Sequence, residues 1–119
     1  MHYLLDGYNI GHWLAEVRDL HPTELRQLVI TALQENPPAN VQSVRIFWDV
    51  RSGIPPSDHD LPEGRMLFVP DADQAIIDTV YNADTPAKIT VVSWDREVVG
   101  KSRQLGAKTQ NPEEFLPDS

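Results

Sequence analysis

No cysteine occurs in these 119 residues, so neither a disulfide framework nor a thiolate metal site can form. No apolar run approaches the roughly 18 residues that a membrane-spanning helix needs. Met1 to Leu5 has neither the basic segment nor the long apolar stretch of a secretory signal, and a cytoplasmic location is the expectation. Basic side chains are scarce, 10 Lys and Arg against 18 Asp and Glu, for a net charge of −8. Proteins that grip duplexes neutralise phosphates with Lys and Arg, so this balance argues against a general duplex binder. It leaves room for a small acidic site in which metal ions bring phosphate and carboxylate together. What is present is ordinary for a folded domain. The chain is 40% hydrophobic and 24% charged, long enough for one domain that buries roughly two-thirds of its unfolded surface.

Strand-like and helix-like segments alternate, and no internal repeat interrupts them. His2 to Leu5 reads as a strand that runs into a loop at Asp6-Gly7. Leu25, Leu28, Val29, Ala32 and Leu33 fall at helical spacing, with Thr23 as the expected N-cap and Pro37-Pro38 as the stop. Val44 to Val50 is rich in β-branched and aromatic residues and predicts a buried strand. Arg51 to Gly64 contains Pro55, Pro56 and Pro62 and reads as a long loop that carries Asp58 and Asp60. Met66 to Val69 is a further strand. A helix capped by Asp71 or Asp73 then runs through Ile76, Ile77, Val80 and Tyr81. Lys88 to Ser93 is the plainest strand, Asp95 to Ser102 a short helix closed by Gly106, and Ala107 to Thr109 a last strand before Pro112 to Leu116. Such alternation predicts a three-layer α/β/α domain over residues 1–119 with a mainly parallel central sheet. Ligands of such sheets bind beyond the carboxyl ends of the strands.

Four of the expected strands end at or just before an aspartate: Asp6, Asp49, the pair Asp71 and Asp73, and Asp95. In a parallel sheet these carboxylates share one edge. Crowded anions stay ionised only with a cation among them; otherwise some take up protons. Oxygen donors without sulfur suit a hard divalent ion, Mg²⁺ or Mn²⁺. Each aspartate taken singly also fits a turn former or helix N-cap, Asp71 above all, because Asp73 competes with it. Asp84 and Asp118 read as loop and tail charges.

In order, Asp6-Gly7-Tyr8-Asn9, Phe47-x-Asp49, Ala72-Asp73-x-x-Ile76 and Ser93-x-Asp95-Arg96 resemble the NYN branch of the PIN-like ribonucleases, and within it the YacP-like bacterial family. The ending from Gly106 to Leu116 is similar to a segment of that family. The resemblance implies a metal-dependent endoribonuclease that hydrolyses phosphodiester bonds of single-stranded RNA, an RNA that could lie on the ribosome. Carried across by motif, Asp6, Asp73 and Asp95 are the expected catalytic and metal-binding carboxylates. Asn9 is expected to orient Asp6 or a metal-bound water, and Asp49 to touch the ion or one of its ligands. The family places a second acid four residues after the Ala-Asp aspartate; here that position is Ile77, Asp78 lies about 140° around the helix from Asp73, and Asp71 is the available substitute. Trp94 replaces a small residue before the last aspartate.

Arg96, Lys101, Arg103 and Lys108 are close together in sequence and could form a phosphate-facing strip beside the acidic edge, or else a solvated helix face. Trp13 and Trp94 flank the expected edge and could stack bases, whereas Trp48, inside a strand, is expected in the core. His2, His12, His21 and His59 have no metal-ligand spacing, and Gly7 and Gly11 lack the lysine of a phosphate loop. The alternative to a nuclease is a non-catalytic PIN-like module that binds RNA or a protein. A haloacid-dehalogenase-like phosphatase would need its Asp-x-Asp on the first strand, whereas Asp71-x-Asp73 comes midway along the chain.

Overall fold

Period-two alternation of apolar residues along each strand supplies two faces, and helices cover both. The computed structural model describes residues 1–38, 40–50 and 64–116. The chain runs β1 (His2–Asp6), α1 (Gly7–Ala15), α2 (Pro22–Glu35), β2 (Ser43–Asp49), β3 (Gly64–Val69), α3 (Ala72–Tyr81), a 3-10 turn (Pro86–Lys88), β4 (Ile89–Val92), α4 (Arg96–Gln104), β5 (Lys108–Gln110) and α5 (Pro112–Phe115). All strand pairings are parallel, in the order β3-β2-β1-β4-β5. The expected three-layer α/β class is the one observed. Residues 51–63, with Asp58, His59 and Asp60, lie outside the described residues, as does Asp118, so the loop expected from Arg51 to Gly64 is addressed only at Gly64, which opens β3.

One core packs Leu5, Val44, Ile46, Trp48 and Val92 against Ile10 of α1, Val29 and Leu33 of α2, and Phe115 beside the last turn. The other packs Leu4, Phe47, Ile89 and Val91 against Ala72, Ile76 and Val80 of α3 and Val98 of α4. Neighbouring residues such as Leu4 and Leu5 thus go to opposite faces, as the pleat requires. Burying one such side chain fully stabilises the fold by about 1.5–3 kcal/mol, so shifting a strand by one residue would forfeit both cores.

Three elements differ from expectation. Asp6-Gly7 does not open a loop; α1 begins at once. Its two glycines hide the helix by lowering propensity, yet packing requires both. A Cβ on Gly7 would stand 2.4–2.7 Å from the Trp48 ring, and one on Gly11 would stand 3.2 Å from Leu25 Cβ. The second helix is capped by His21, not Thr23. The His21 Nδ1 accepts the Thr23 N–H, and Glu24 reaches back to the His21 N–H in a capping box, with Pro22 in the first turn. Thr23 Oγ1 instead accepts from Arg26 Nη2 at 3.2 Å. Finally, β4 starts at Ile89 because Pro86–Lys88 forms the 3-10 turn. Trp48 is fully buried, as expected, edge-on to Tyr8 at 4.8 Å between ring centroids.

Candidate metal centre at the sheet switch point

In the order β3-β2-β1-β4-β5 the chain winds outward in both directions from β1 and β4. Helix α1, following β1, covers one face, and α4, following β4, covers the other. Adjacent strands whose helices part to opposite faces leave a crevice at their carboxyl ends, the usual ligand position in open α/β sheets. Asp6 lies one residue beyond the Leu5–Val92 pair, level with Ser93. Its side chain has the parity of Leu4 and so points to the α3/α4 face, as Asp49 does by the parity of Phe47. Asp73 and Asp95 open the two helices on that face. Strand pleat and helix starts therefore converge four carboxylates on one side of the crevice.

Helix capping occupies some of them. Asp95 Oδ1 accepts the N–H groups of Glu97 and Val98 at 2.9 and 3.3 Å. Asp71 Oδ1 accepts the Gln74 N–H at 3.1 Å, which makes it the N-cap of α3. Asp49 Oδ1 takes the Ala72 N–H at 2.7 Å. Two carboxylates are not used in this way. Asp6 stands at the N-cap position of α1 but makes no side-chain cap bond; it turns to Ser93, whose hydroxyl donates to Asp6 Oδ2 at 2.9 Å. Asp73 accepts no hydrogen bond among the described residues and is half-buried.

Both are also perturbed acids. Asp6 is 5% exposed, and its pKa is raised from 3.8 to about 7, first by burial and then by the charges of Asp73, Asp49 and Asp95, against a lowering by the Ser93 hydrogen bond. Asp73 is raised by burial and by Asp95, Asp49, Asp71 and Glu97. The carboxylates thus interact electrostatically as a group. A divalent cation among them would reverse the sign of that interaction.

Ser93, which had no separate role in the sequence reading, ties the centre together. Its Oγ donates to Asp6 and accepts the Asp95 N–H at 3.0 Å. A polar residue fully buried at the end of an otherwise apolar strand is the signal that would have found it. Asn9 Oδ1 accepts the Trp94 N–H at 2.8 Å, a contact that orients the turn carrying Asp95. Ile77 is half-buried one helical turn after Asp73, and Asp78 is exposed and accepts from Gln74 Nε2 at 2.8 Å.

The basic strip does not assemble beside the acidic edge. Arg96, exposed, starts α4 at that edge, but the helix then returns toward the opposite end of the sheet, where Lys108 begins β5. Lys101 and Arg103 lie about 8 and 10 Å further along the helix axis than Arg96. Lys101 is paired with Glu97 at 2.7 Å, and Arg103 Nε donates to Thr109 Oγ1 at 2.7 Å.

Among the described residues no group of three or more Asp, Glu or His stands close enough to hold a metal ion by itself. Mg²⁺ does not need one, since it keeps several waters and is commonly held by one or two carboxylates plus substrate phosphates. Asp6 and Asp73, all-oxygen donors under mutual repulsion, fit such a water-rich ion.

No protein-family model matches the chain, and no curated protein matches it. Among solved structures, the crystal structure of Rae1 (YacP) from Bacillus subtilis is similar at a TM-score of 0.76 and 18% identity, over 99% of this chain and 72% of that one. A point mutant of the same protein gives 0.73 and 18%, over 99% and 73%. The likeness establishes a shared fold, the one that the order of motifs led us to expect.

Proposed function

We propose that this protein is a Mg²⁺- or Mn²⁺-dependent endoribonuclease that hydrolyses phosphodiester bonds of single-stranded RNA. The observation that carries the reading is Asp6: a buried carboxylate at the switch point, not used as a cap, and driven toward neutrality by burial and by Asp73, Asp49 and Asp95. A purely structural aspartate at an N-cap would bond the helix it precedes. Asp6 and Asp73 would hold the ion, and Asp95 and Asp49 would each offer the oxygen not committed to a backbone N–H. When bound, the ion lowers the pKa of a coordinated water and neutralises charge on the phosphate. Ser93 keeps Asp6 and the Asp95 turn in register, and Asn9 holds that turn against α1. Arg96, which starts α4 at this edge, would face the RNA backbone. Lys101 and Arg103 can meet only a strand that continues down α4.

The fold shared with YacP supports this reading, as does the acidic composition: the ion, not a field of lysines, holds the scissile phosphate. RNA exposed on the ribosome is one setting consistent with it. A second reading, a non-catalytic module of the same fold that binds RNA or a protein, draws on Ile77 in place of an acid and on the lack of a closed three-ligand cage. Incubation of mixed-sequence single-stranded RNA with Mn²⁺ separates the two. Cleavage by the native protein, lost in Asp6→Asn and in Asp95→Asn, is the expected result. Intact RNA with all three proteins favours the module, and hydrolysis of a small phosphomonoester with RNA untouched would mean a phosphatase.

A further inference from the structure

Above the carboxylates the crevice has a second wall with different chemistry. Trp13, from α1, and Trp94, from the turn after β4, face each other with ring centroids 6.4 Å apart and planes inclined by 57°. Trp94 is 41% exposed, one of few large apolar side chains so open among the described residues. The position is fixed, because the Trp94 N–H is bonded to Asn9 Oδ1 and the flanking Ser93 and Asp95 are both tied into the acidic centre. Trp13 also lines a cleft of about 370 Å³ with His12, Leu14 and Glu16.

We propose that Trp13 and Trp94 form a stacking site for one unpaired nucleobase next to the scissile phosphate, and that this site makes the crevice selective for single strands. Three features favour a base over an apolar protein surface. The rings adjoin a centre suited to phosphate, with the Trp94 backbone continuous with Asp95. Arg96, exposed, supplies a cation at the same turn. Trp94, 41% exposed, leaves part of its ring free for a base to stack on. In a duplex the base is already stacked and its phosphates crowd the acidic rim. A splayed strand can place its phosphate toward Asp6 and Asp73 and its base on Trp94. The proposal deepens the nuclease reading and rests on it only for the position of the phosphate.

The test measures binding apart from cleavage. In Mn²⁺ at low salt, a short fluorescein-labelled single-stranded oligoribonucleotide with cleavage-resistant phosphorothioate links is titrated with the native protein, and so is the same strand annealed to its complement. The native protein should bind the single strand more tightly. Trp94→Leu should weaken that binding by about 5- to 150-fold, while Trp94→Phe, which keeps an aromatic face, should retain most of it. Circular dichroism confirms that each variant is folded. Equal affinity of Trp94→Leu and native protein, equal affinity for duplex and single strand, or no binding of either overturns the stacking site; the last leaves the pair as a protein contact. Binding through Trp94 without metal-dependent cleavage would keep this inference and refute the nuclease. Cleavage in Mn²⁺ whose KM is unchanged in Trp94→Leu would do the reverse.

Discussion

Replacing Asp6 by asparagine should stabilise the fold at neutral pH while removing the carboxylate on which the centre depends. Ionised Asp6 is buried among three other aspartates, and its pKa is raised from 3.8 to about 7. Each pH unit of displacement corresponds to about 1.36 kcal/mol, so the ionised form costs the native state about 4 kcal/mol at most. The sign follows from proton linkage. Below about pH 4 folded and unfolded chains both hold the proton, and there is no penalty. Between about pH 4 and 7 the unfolded chain releases it while the folded one retains it, so native stability falls as pH rises. Above about pH 7 both are ionised and the whole penalty remains. Asparagine keeps an acceptor for the Ser93 hydroxyl but brings an amide donor that needs a partner, which reduces the gain to about 2–4 kcal/mol. Urea unfolding in EDTA reads this directly. The midpoint of Asp6→Asn should exceed that of the native protein by about 1–2 M at pH 8 and match it near pH 4. A variant no more stable at pH 8, or equally stabilised at both pH values, would show that Asp6 is not held under electrostatic stress.

Other expectations follow from the same geometry. Ser93→Ala removes the hydrogen bond that lowers the Asp6 pKa, so the Asp6 carboxyl, followed by carbon NMR, should titrate above about 7; an unchanged midpoint would contradict the pairing. Gly7→Ala forces a Cβ to within 2.4–2.7 Å of the buried Trp48 ring and should cost about 1–3 kcal/mol, visible as a lower thermal midpoint and an altered Trp48 emission. Ile77→Asp places a second acid one turn after Asp73. It should raise the Asp73 pKa further and tighten Mn²⁺ binding severalfold, whereas unchanged binding would place the ion away from α3.

The parts of the fold visible in the sequence are those governed by short-range periodicity. β2, β3, α3 and α4 came within a few residues of their positions because apolar spacing and an aspartate at each helix start mark them locally. α1 was missed because Gly7 and Gly11 were chosen by close packing against Trp48 and Leu25, contacts that no local window contains. The aspartates at strand ends were legible for a related reason: in a parallel sheet, chain order alone brings strand ends to one edge. Their division of labour was not. Which carboxylates cap helices and which do not depends on hydrogen bonds such as Ser93 to Asp6, spanning 87 residues of sequence. Where Lys101 and Arg103 lie was not legible either, because proximity in sequence ignores helix direction. From Arg96 to Arg103 the chain travels away from the site.

The central claim is that Asp6 and Asp73 are held apart in charge by burial and repulsion so that a divalent ion can join them. Calorimetric titration of Mn²⁺ into the native protein near pH 6.5, in two buffers of different ionisation heat, tests it most directly. Saturable binding at millimolar or lower ion is predicted, with proton release as Asp6 gives up the proton it partly retains at that pH, and loss of both signals in Asp6→Asn. No heat of binding at millimolar Mn²⁺, or binding that survives in Asp6→Asn, would contradict it.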